Sequence, residues 1–483
     1  MSPPIDRRDF VRLSSVAALA APTLLGACGD EPEAPAPSLC GTAEPDAGVL
    51  WDVDPEAVRL DAELFPLPPQ SGAMRATTAL IWGYGEGAGA LDFWVWRTEG
   101  DERYLVHSGT AETADGYAKV ALNALAAGQW YQFVWMRSGD DEPVRSQVGR
   151  FRTAIEPGCG ERLVVAATSC TNRRLAPYRS LEMKAAEQPD LFLQLGDMSY
   201  NDRAQSTAEY RALWHETLSD PGYAAILAQC GMYVTWDDHE IVDSSSYYAI
   251  DDDRRRIATD AWFETLPSPR LENDRFWDSY RWGDTAEFFV LDCRSEREPA
   301  SRRTPEAAYI SRAQMEWLKQ GLAESQAVWK VILNSVPMTN WPDAAILESD
   351  RWEGYEAQRQ ELVDYFIAQD LEGVVVVSGD FHCGSVCRLE PTGPGRKFFE
   401  ILVGPGANGG NPLAYLFQMG SEAERARIFE GDQFAFLHHG MSTTMLTFDG
   451  EAKSLGIEYV DPESGDPRFR GTLYTDGRLE TGS

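Results

Sequence analysis

The chain has 483 residues, enough for a large core and more than one domain. Hydrophobic residues make up 43% and aromatics 11%, which is a globular rather than a disordered composition. The formal net charge of −33 excludes a nucleic-acid partner, which needs a basic footprint, and opposes unassisted docking onto anionic lipid. A surface tuned for a saline or extracellular medium accounts for most of that charge, and metal ligation would account for the rest.

Residues 1–28 form a targeting segment. Asp6-Arg7-Arg8-Asp9-Phe10-Val11-Arg12 matches the twin-arginine pattern and precedes an apolar stretch, Val16 to Leu25, too short to span a bilayer as a permanent helix. The stretch ends in Leu25-Gly26-Ala27-Cys28, which resembles the lipobox of bacterial lipoproteins. That resemblance implies lipidation at Cys28, export by the twin-arginine route, and a periplasmic or cell-surface protein that meets the membrane only through its lipid. An ordinary signal peptide with an incidental Cys28 is the other reading. Residues 29–48, rich in Pro, Ala, Glu and Gly, form an extended linker.

Residues 49–156 read as a β-sandwich: short strands at even spacing, separated by Gly or acidic turns, among them Ala76–Tyr84, Leu91–Trp96, Tyr117–Leu122 and Trp130–Trp135. Leu125 to Tyr131 resembles the tyrosine corner of fibronectin-type sandwiches. This region is structural, and Glu156-Pro157-Gly158 closes it. Residues 160–470 alternate strands with helices, the pattern of a layered α/β domain. The strands are Leu163–Ala167, Leu191–Leu195, Met232–Thr235, Ala286–Leu291, Trp329–Leu333, Val374–Val377 and Phe398–Leu402; the helices include Ser206–Leu218, Ser311–Glu324 and Tyr355–Gln369. Ser311 to Gln314 has the form of a capping box. The text after Phe434 turns β again, with Thr444–Phe448 and Leu455–Tyr459, which favours a sandwich of two mixed sheets over a doubly wound nucleotide fold. Residues 471–483 read as a polar tail.

Eight cysteines are present. With Cys28 lipidated and Cys170 a ligand, Cys40–Cys159, Cys383–Cys387 and Cys230–Cys293 are the natural pairs for an exported protein, although sequence leaves the connectivity open.

The chemistry lies at strand ends, where α/β sheets bind ligands. In order these are Thr168-Ser169-Cys170-Thr171-Asn172, Gly196-Asp197-Met198-Ser199-Tyr200-Asn201-Asp202, Trp236-Asp237-Asp238-His239-Glu240, Leu333-Asn334 and Ser378-Gly379-Asp380-Phe381-His382. Together they resemble the calcineurin-like metallophosphoesterases, and within them the PhoD-type alkaline phosphatase/phosphodiesterase branch. Trp-Asp-Asp-His-Glu and Ser-Gly-Asp-x-His are specific to that branch, and Asp260–Pro267 and Val290–Arg294 look like further landmarks. The resemblance covers essentially the whole chain.

The resemblance implies an α/β metallophosphatase sandwich behind a fibronectin- or immunoglobulin-like domain, acting as a phosphomonoesterase or phosphodiesterase through a metal-bound hydroxide. Asp197 would bridge two ions. Cys170, Tyr200 and His382 would complete a site suited to Fe(III); Asp238, Asp380 and Asn334 would hold the divalent ion, Ca or Mn rather than Zn. His239 would protonate the leaving oxygen, and Arg294 would contact the phosphate. Asp237 is placed behind the ligands, His215 on the surface, and His438-His439 at the rim without ligating. Bland alternatives stay open: Cys170 as a core cysteine, Tyr200 as packing, Asn334 as a cap, Asp292 with Arg294 as an ion pair. The segment Ile241 to Tyr248 departs from the branch's Asn-rich continuation, so leaving-group preference does not carry over. A monomer is expected. Two other functions remain: an inactive binding lipoprotein on the same fold, and a metallohydrolase for nucleotide or other ester substrates.

Overall fold

The computed structural model describes residues 48–137, 142–243, 247–342, 350–429 and 431–482. The twin-arginine segment, Cys28 and Cys40 lie outside the described residues. No helix among those residues is long and apolar enough to cross a membrane.

Two sheets pack face to face and helices cover their outer faces, as expected of a mixed-sheet sandwich. In the first sheet, Leu163–Thr171, Leu191–Leu195 and Gly231–Thr235 run parallel, while Thr443–Asp449 pairs antiparallel with Leu163–Thr171. In the second, Ala286–Val290, Trp329–Asn334, Val374–Ser378 and Phe399–Leu402 run parallel. Near-continuous apolar runs form these strands because both faces are buried. Alternation decides the partner of each side chain: Leu193, Leu195, Val331, Leu333, Val375 and Val377 meet in the core between the sheets. Phe192 and Val234 turn outward against the helices Thr207–Leu218 and Pro221–Gln229, which supply Trp214 and Ile226. Ile332 and Val376 turn outward against Arg312–Glu324 and Glu356–Ala368, which supply Leu318 and Phe366.

The N-terminal region is a sandwich, and its tyrosine corner is real: the Ala126 N–H donates to the Tyr131 hydroxyl at 2.8 Å. One of its two layers, Gln70–Gly72, Ala79–Tyr84 and Tyr117–Leu122, is continuous with the first catalytic sheet through the parallel pairing of Met232 with Gly72. The sequence boundary at 156 therefore divides a chain whose sheet runs through. The Asp260–Pro267 segment explains itself here: Gln70, Trp82 and Lys119 donate to the Thr265, Glu264 and Phe263 carbonyls at the end of the helix Asp252–Thr265.

Several expectations change. Ser311 accepts from the Gln314 N–H, but Gln314 does not reciprocate; its side chain bonds Asp292 and Glu296 instead. Residues 471–483, expected as a polar tail, include the end of Pro467–Tyr474 and the strand Leu479–Thr481, which pair antiparallel at the sheet edge. Cys159 is disulfide-bonded. Cys230, Cys293, Cys383 and Cys387 are free and buried, contrary to two of the expected pairs. Cys383 and Cys387 share one strand, where four residues at ~3.3 Å each separate them by about 13 Å, beyond disulfide reach. Cys293 instead donates to Asn334 Oδ1 at 2.7 Å, far from Cys230, whose thiol faces the Ile226 carbonyl.

Candidate metal centre

The two sheets converge at the carboxyl ends of their strands because glycines allow close approach. A Cβ on Gly379 would lie 2.3 Å from the Leu195 carbonyl oxygen, and one on Gly196 would lie 2.5 Å from the Asp237 Cβ. The Cys170 N–H donates to the Gly196 carbonyl at 3.3 Å and the Thr171 N–H to the Asp197 carbonyl at 2.9 Å, which locks the first two strand ends together. The Glu240 carboxylate braces the next turn by accepting backbone N–H bonds from Asp197, Met198, Ser199 and Asp237. Four residues that carry the expected ligands, Cys170, Asp197, Asp380 and His382, sit at positive φ (54°, 53°, 61° and 51°). Backbone of that kind is costly for residues with a Cβ and clusters at functional sites.

The side chains meet as the backbone dictates. Ligand atoms of Cys170, Asp197 and His382 lie within 4.8 Å of one another, and so do those of Asp197, Asp238 and His239, and of Asp197, Asp237, Asp238 and Asp380. Asp197 belongs to all three groups, the position a bridging carboxylate needs. The Tyr200 hydroxyl reaches Asp197 Oδ2 at 3.4 Å. Asp197 Oδ1 and Asp237 Oδ2 are buried without a hydrogen-bond partner.

The electrostatics say what is missing from such a set. Burial pushes the Cys170 thiol well up, and the nearby Asp197 and Asp380 carboxylates add to it. Burial and the Asp197 charge raise the Tyr200 phenol as well. Burial lifts Asp197 well above the ordinary carboxylate range and Asp380 to about 7. Anionic donors packed this densely are disfavoured unless cations neutralise them, so the residues present fit a pair of metal ions.

His239 stands at the edge of the group. Its Nδ1 is 2.6 Å from Asp202 Oδ1, and its ring lies against Tyr200 with centroids 4.0 Å apart. Burial works against the charged ring, but the Asp202 hydrogen bond and the Asp197 and Asp238 charges prevail and raise it to about 10.

The sequence model of the PhoD-like phosphatases matches residues 163–449, the span that holds every one of these strand ends. The chain belongs to the PhoD-like phosphatase family. It is 25% identical over 393 residues to alkaline phosphatase D of Bacillus subtilis (strain 168), covering 69% of this chain and 67% of that one. A solved structure of PhoD superposes with a TM-score of 0.76 at 21% identity, covering 87% of this chain and 92% of that one. The yellow lupin purple acid phosphatase PPD1 shares the fold at a TM-score of 0.61 and 14% identity, covering 86% of this chain and 75% of that one. The protein is thus a PhoD-like phosphatase, an enzyme acting on phosphoesters.

Within this PhoD-like phosphatase, some expected residues have other work. Arg294 is buried and its guanidinium holds three carboxylates: Asp237 through Nε, Asp350 at 2.7 Å through Nη1, and Asp238 at 3.4 Å through Nη2. Its side chain does not pair with Asp292, which receives the Trp236 indole N–H at 2.9 Å and the Arg294 backbone N–H at 3.0 Å. Asn334 Oδ1 accepts from Cys293 and, at 3.3 Å, from Trp352 Nε1, while its Nδ2 donates to the Val336 carbonyl. Both ends of its amide thus bond neighbouring groups at the strand end. Asp237, expected behind the ligands, keeps Oδ1 on Arg294 and Ser335 but leaves Oδ2 bare within the cluster.

His215, expected on the surface, is half-buried between the domains and 2.7 Å from the Tyr117 hydroxyl. His439 Nδ1 lies 3.0 Å from the Asn411 carbonyl, outside the donor groups found among the described residues, as does His438. Sequence reasoning missed Asn408, whose Nδ2 lies 2.6 Å from the Tyr200 hydroxyl and 3.0 Å from His382 Nε2. It also gave no role to Asp202 or Glu240, although both stand inside the quoted motifs.

Proposed function

We propose that this chain hydrolyses phosphoesters at a two-metal centre, with Cys170, Asp197, Tyr200 and His382 holding Fe(III) and with Asp238, Asp380 and the shared Asp197 holding a divalent ion, Ca²⁺ ahead of Mn²⁺ or Zn²⁺. The observation that carries the reading is the meeting of three donor groups on one carboxylate, Asp197. A thiolate and a phenolate suit a trivalent iron, and the all-oxygen set suits a hard cation. When bound, such a pair supplies Lewis acidity and an activated water. The chain's own residues do the rest. Asp202 fixes the His239 ring through Nδ1, so that the opposite nitrogen, Nε2, is the proton donor to the leaving oxygen. The Asp202 hydrogen bond favours the charged form of that ring, the form a proton donor needs. The Tyr200 ring packs on one face of His239 and restrains it.

The helices nearest His382 are short: Pro412–Met419 and Glu422–Ile428, entered through the Asn411 N–H bond to the His382 carbonyl. Export through the twin-arginine segment and anchoring at Cys28 complete the proposal and rest on residues 1–28 alone.

The test is the full chain purified without chelator. Iron near one per chain, a visible charge-transfer band that Cys170→Ser shifts and that is lost when Tyr200→Phe is added, and turnover of an aryl phosphate lost in His239→Ala are the expected results. A colourless zinc protein overturns the iron assignment, and undiminished turnover in His239→Ala overturns its role as the acid.

A further inference from the structure

Two buried arginines stand beside the cluster, and only one of them is saturated. Arg294 gives its donors to Asp237, Asp238 and Asp350. Arg351 directs Nη2 to Glu353, but its Nε and Nη1 are buried and have no hydrogen-bond partner. We propose that Arg351, in place of Arg294, grips the phosphoryl oxygens of the substrate, an inference that rests on the phosphoester reading above.

Arg351 is held where that role requires. Its neighbour Asp350 accepts from Arg294 Nη1 and Arg297 Nη1, both at 2.7 Å, and so ties the backbone at 350–351 to the Asp237 and Asp238 carboxylates. The Arg351 Cζ lies 5.0 Å from the centroid of Phe381, the residue between Asp380 and His382, and the Trp341 ring closes on Phe381 at 4.4 Å. Glu353 does not absorb the whole guanidinium, because its other oxygen accepts the Trp341 N–H.

An idle, buried N–H pair is expensive unless a ligand completes it. Nε lies on the Nη2 edge that Glu353 already holds, so Nη1 is the donor left to a ligand, offering a charge-assisted bond to a phosphoryl oxygen. With only 3% of the side chain exposed, water does not compete well for that donor.

The experiment measures inorganic phosphate binding to the metal-loaded full chain, by titration calorimetry and by the phosphate-dependent rise in melting temperature. Charge-assisted bonds of this kind predict a ~10- to 100-fold weaker phosphate Kd in Arg351→Ala, at unchanged metal content. Without phosphate, Arg351→Ala is expected to melt lower, because Glu353 loses its cation; the deciding readout is the phosphate-dependent rise, which a merely structural arginine would leave unchanged. Arg351→Gln, which keeps a donor toward Glu353, carries the same comparison if the alanine variant does not fold. Wild-type phosphate affinity in either variant overturns the inference and leaves the phosphoester reading standing. Failure of the wild-type protein to bind phosphate overturns both.

Discussion

Lys184 offers a quantitative test of how dry the helical layer beneath the centre is. It lies on the helix Arg179–Ala186, one turn after Ser180, whose hydroxyl donates to the Gly406 carbonyl two residues before Asn408. Its side chain is fully buried, its ammonium has no hydrogen-bond partner, and burial alone lowers it from 10.5 to about 7. At ~1.4 kcal/mol per tenfold, that difference bounds the penalty of carrying the charge inside at about 5 kcal/mol. The sign follows from proton counting. Between about 7 and 10.5 the unfolded chain holds the proton and the folded one does not, so stability rises with pH across that window; below it the full penalty applies. Lys184→Met keeps the volume and removes the charge. Urea unfolding followed by tryptophan fluorescence at roughly pH 6 and roughly pH 10 should show the variant more stable by several kcal/mol at the lower pH and nearly equal at the higher. A variant no more stable than wild type at the lower pH, or a gain that does not change with pH, would refute the reasoning and mean that the ammonium finds solvent or a partner.

Two further substitutions probe the centre's supports. Asp350→Asn removes the charge that Arg294 and Arg297 share, leaving the buried Arg297 guanidinium uncompensated while Arg294 keeps Asp237 and Asp238; a loss of about 3–5 kcal/mol in urea unfolding is expected, together with lower metal content as Arg294 is less firmly held. A loss under about 1 kcal/mol would show the network to be solvated. Asp202→Asn takes away the bond that orients and charges His239, so kcat should fall ~10- to 100-fold with little change in KM. The alkaline limb of the rate profile should move to lower pH, because Asp202 is among the groups that raise the His239 value; an unmoved limb would separate Asp202 from the proton-donating step.

The fold was legible wherever burial wrote a simple pattern. Leu191–Leu195 and Val374–Ser378 are buried throughout, and such strands announce themselves as near-continuous apolar runs that end at the chemistry. The join between the domains was not legible, since it rests on one short strand, Gln70–Gly72, paired at Met232 with Gly72, and a three-residue strand has no periodicity to detect. The same limit applies within the site. Cys170, Asp197, Asp238, Asp380 and His382 could be placed because each follows its own strand end. Arg294 follows one too, yet its contacts come from residues 56 and 57 positions away, and its sign alone could not distinguish a phosphate contact from a brace for carboxylates. Asn334 shows the same ambiguity: strand ends deliver residues that cap loops as readily as residues that bind ions, and Cys293 and Trp352 hydrogen-bond its oxygen.

Positive φ at Cys170, Asp197, Asp380 and His382 bears on how the centre is assembled. For residues with a Cβ each such position costs about 1–2 kcal/mol, somewhat less for Asp. The strain persists because neighbouring atoms over-determine it: Glu240 accepts the Asp197 N–H, the Gly196 carbonyl accepts the Cys170 N–H, and the Phe381 N–H between Asp380 and His382 donates to the Gly379 carbonyl at 2.7 Å. Ordinary extended backbone at these four points would turn the side chains away from Asp197, at lower local energy and with no centre. The geometry of the donors is thus set by the strand ends and their braces, and it stands against the mutual repulsion of Asp197, Asp238 and Asp380. A site held this way offers cations a prepared cage, and the stability it gives up locally is stability that the surrounding two-sheet core must supply.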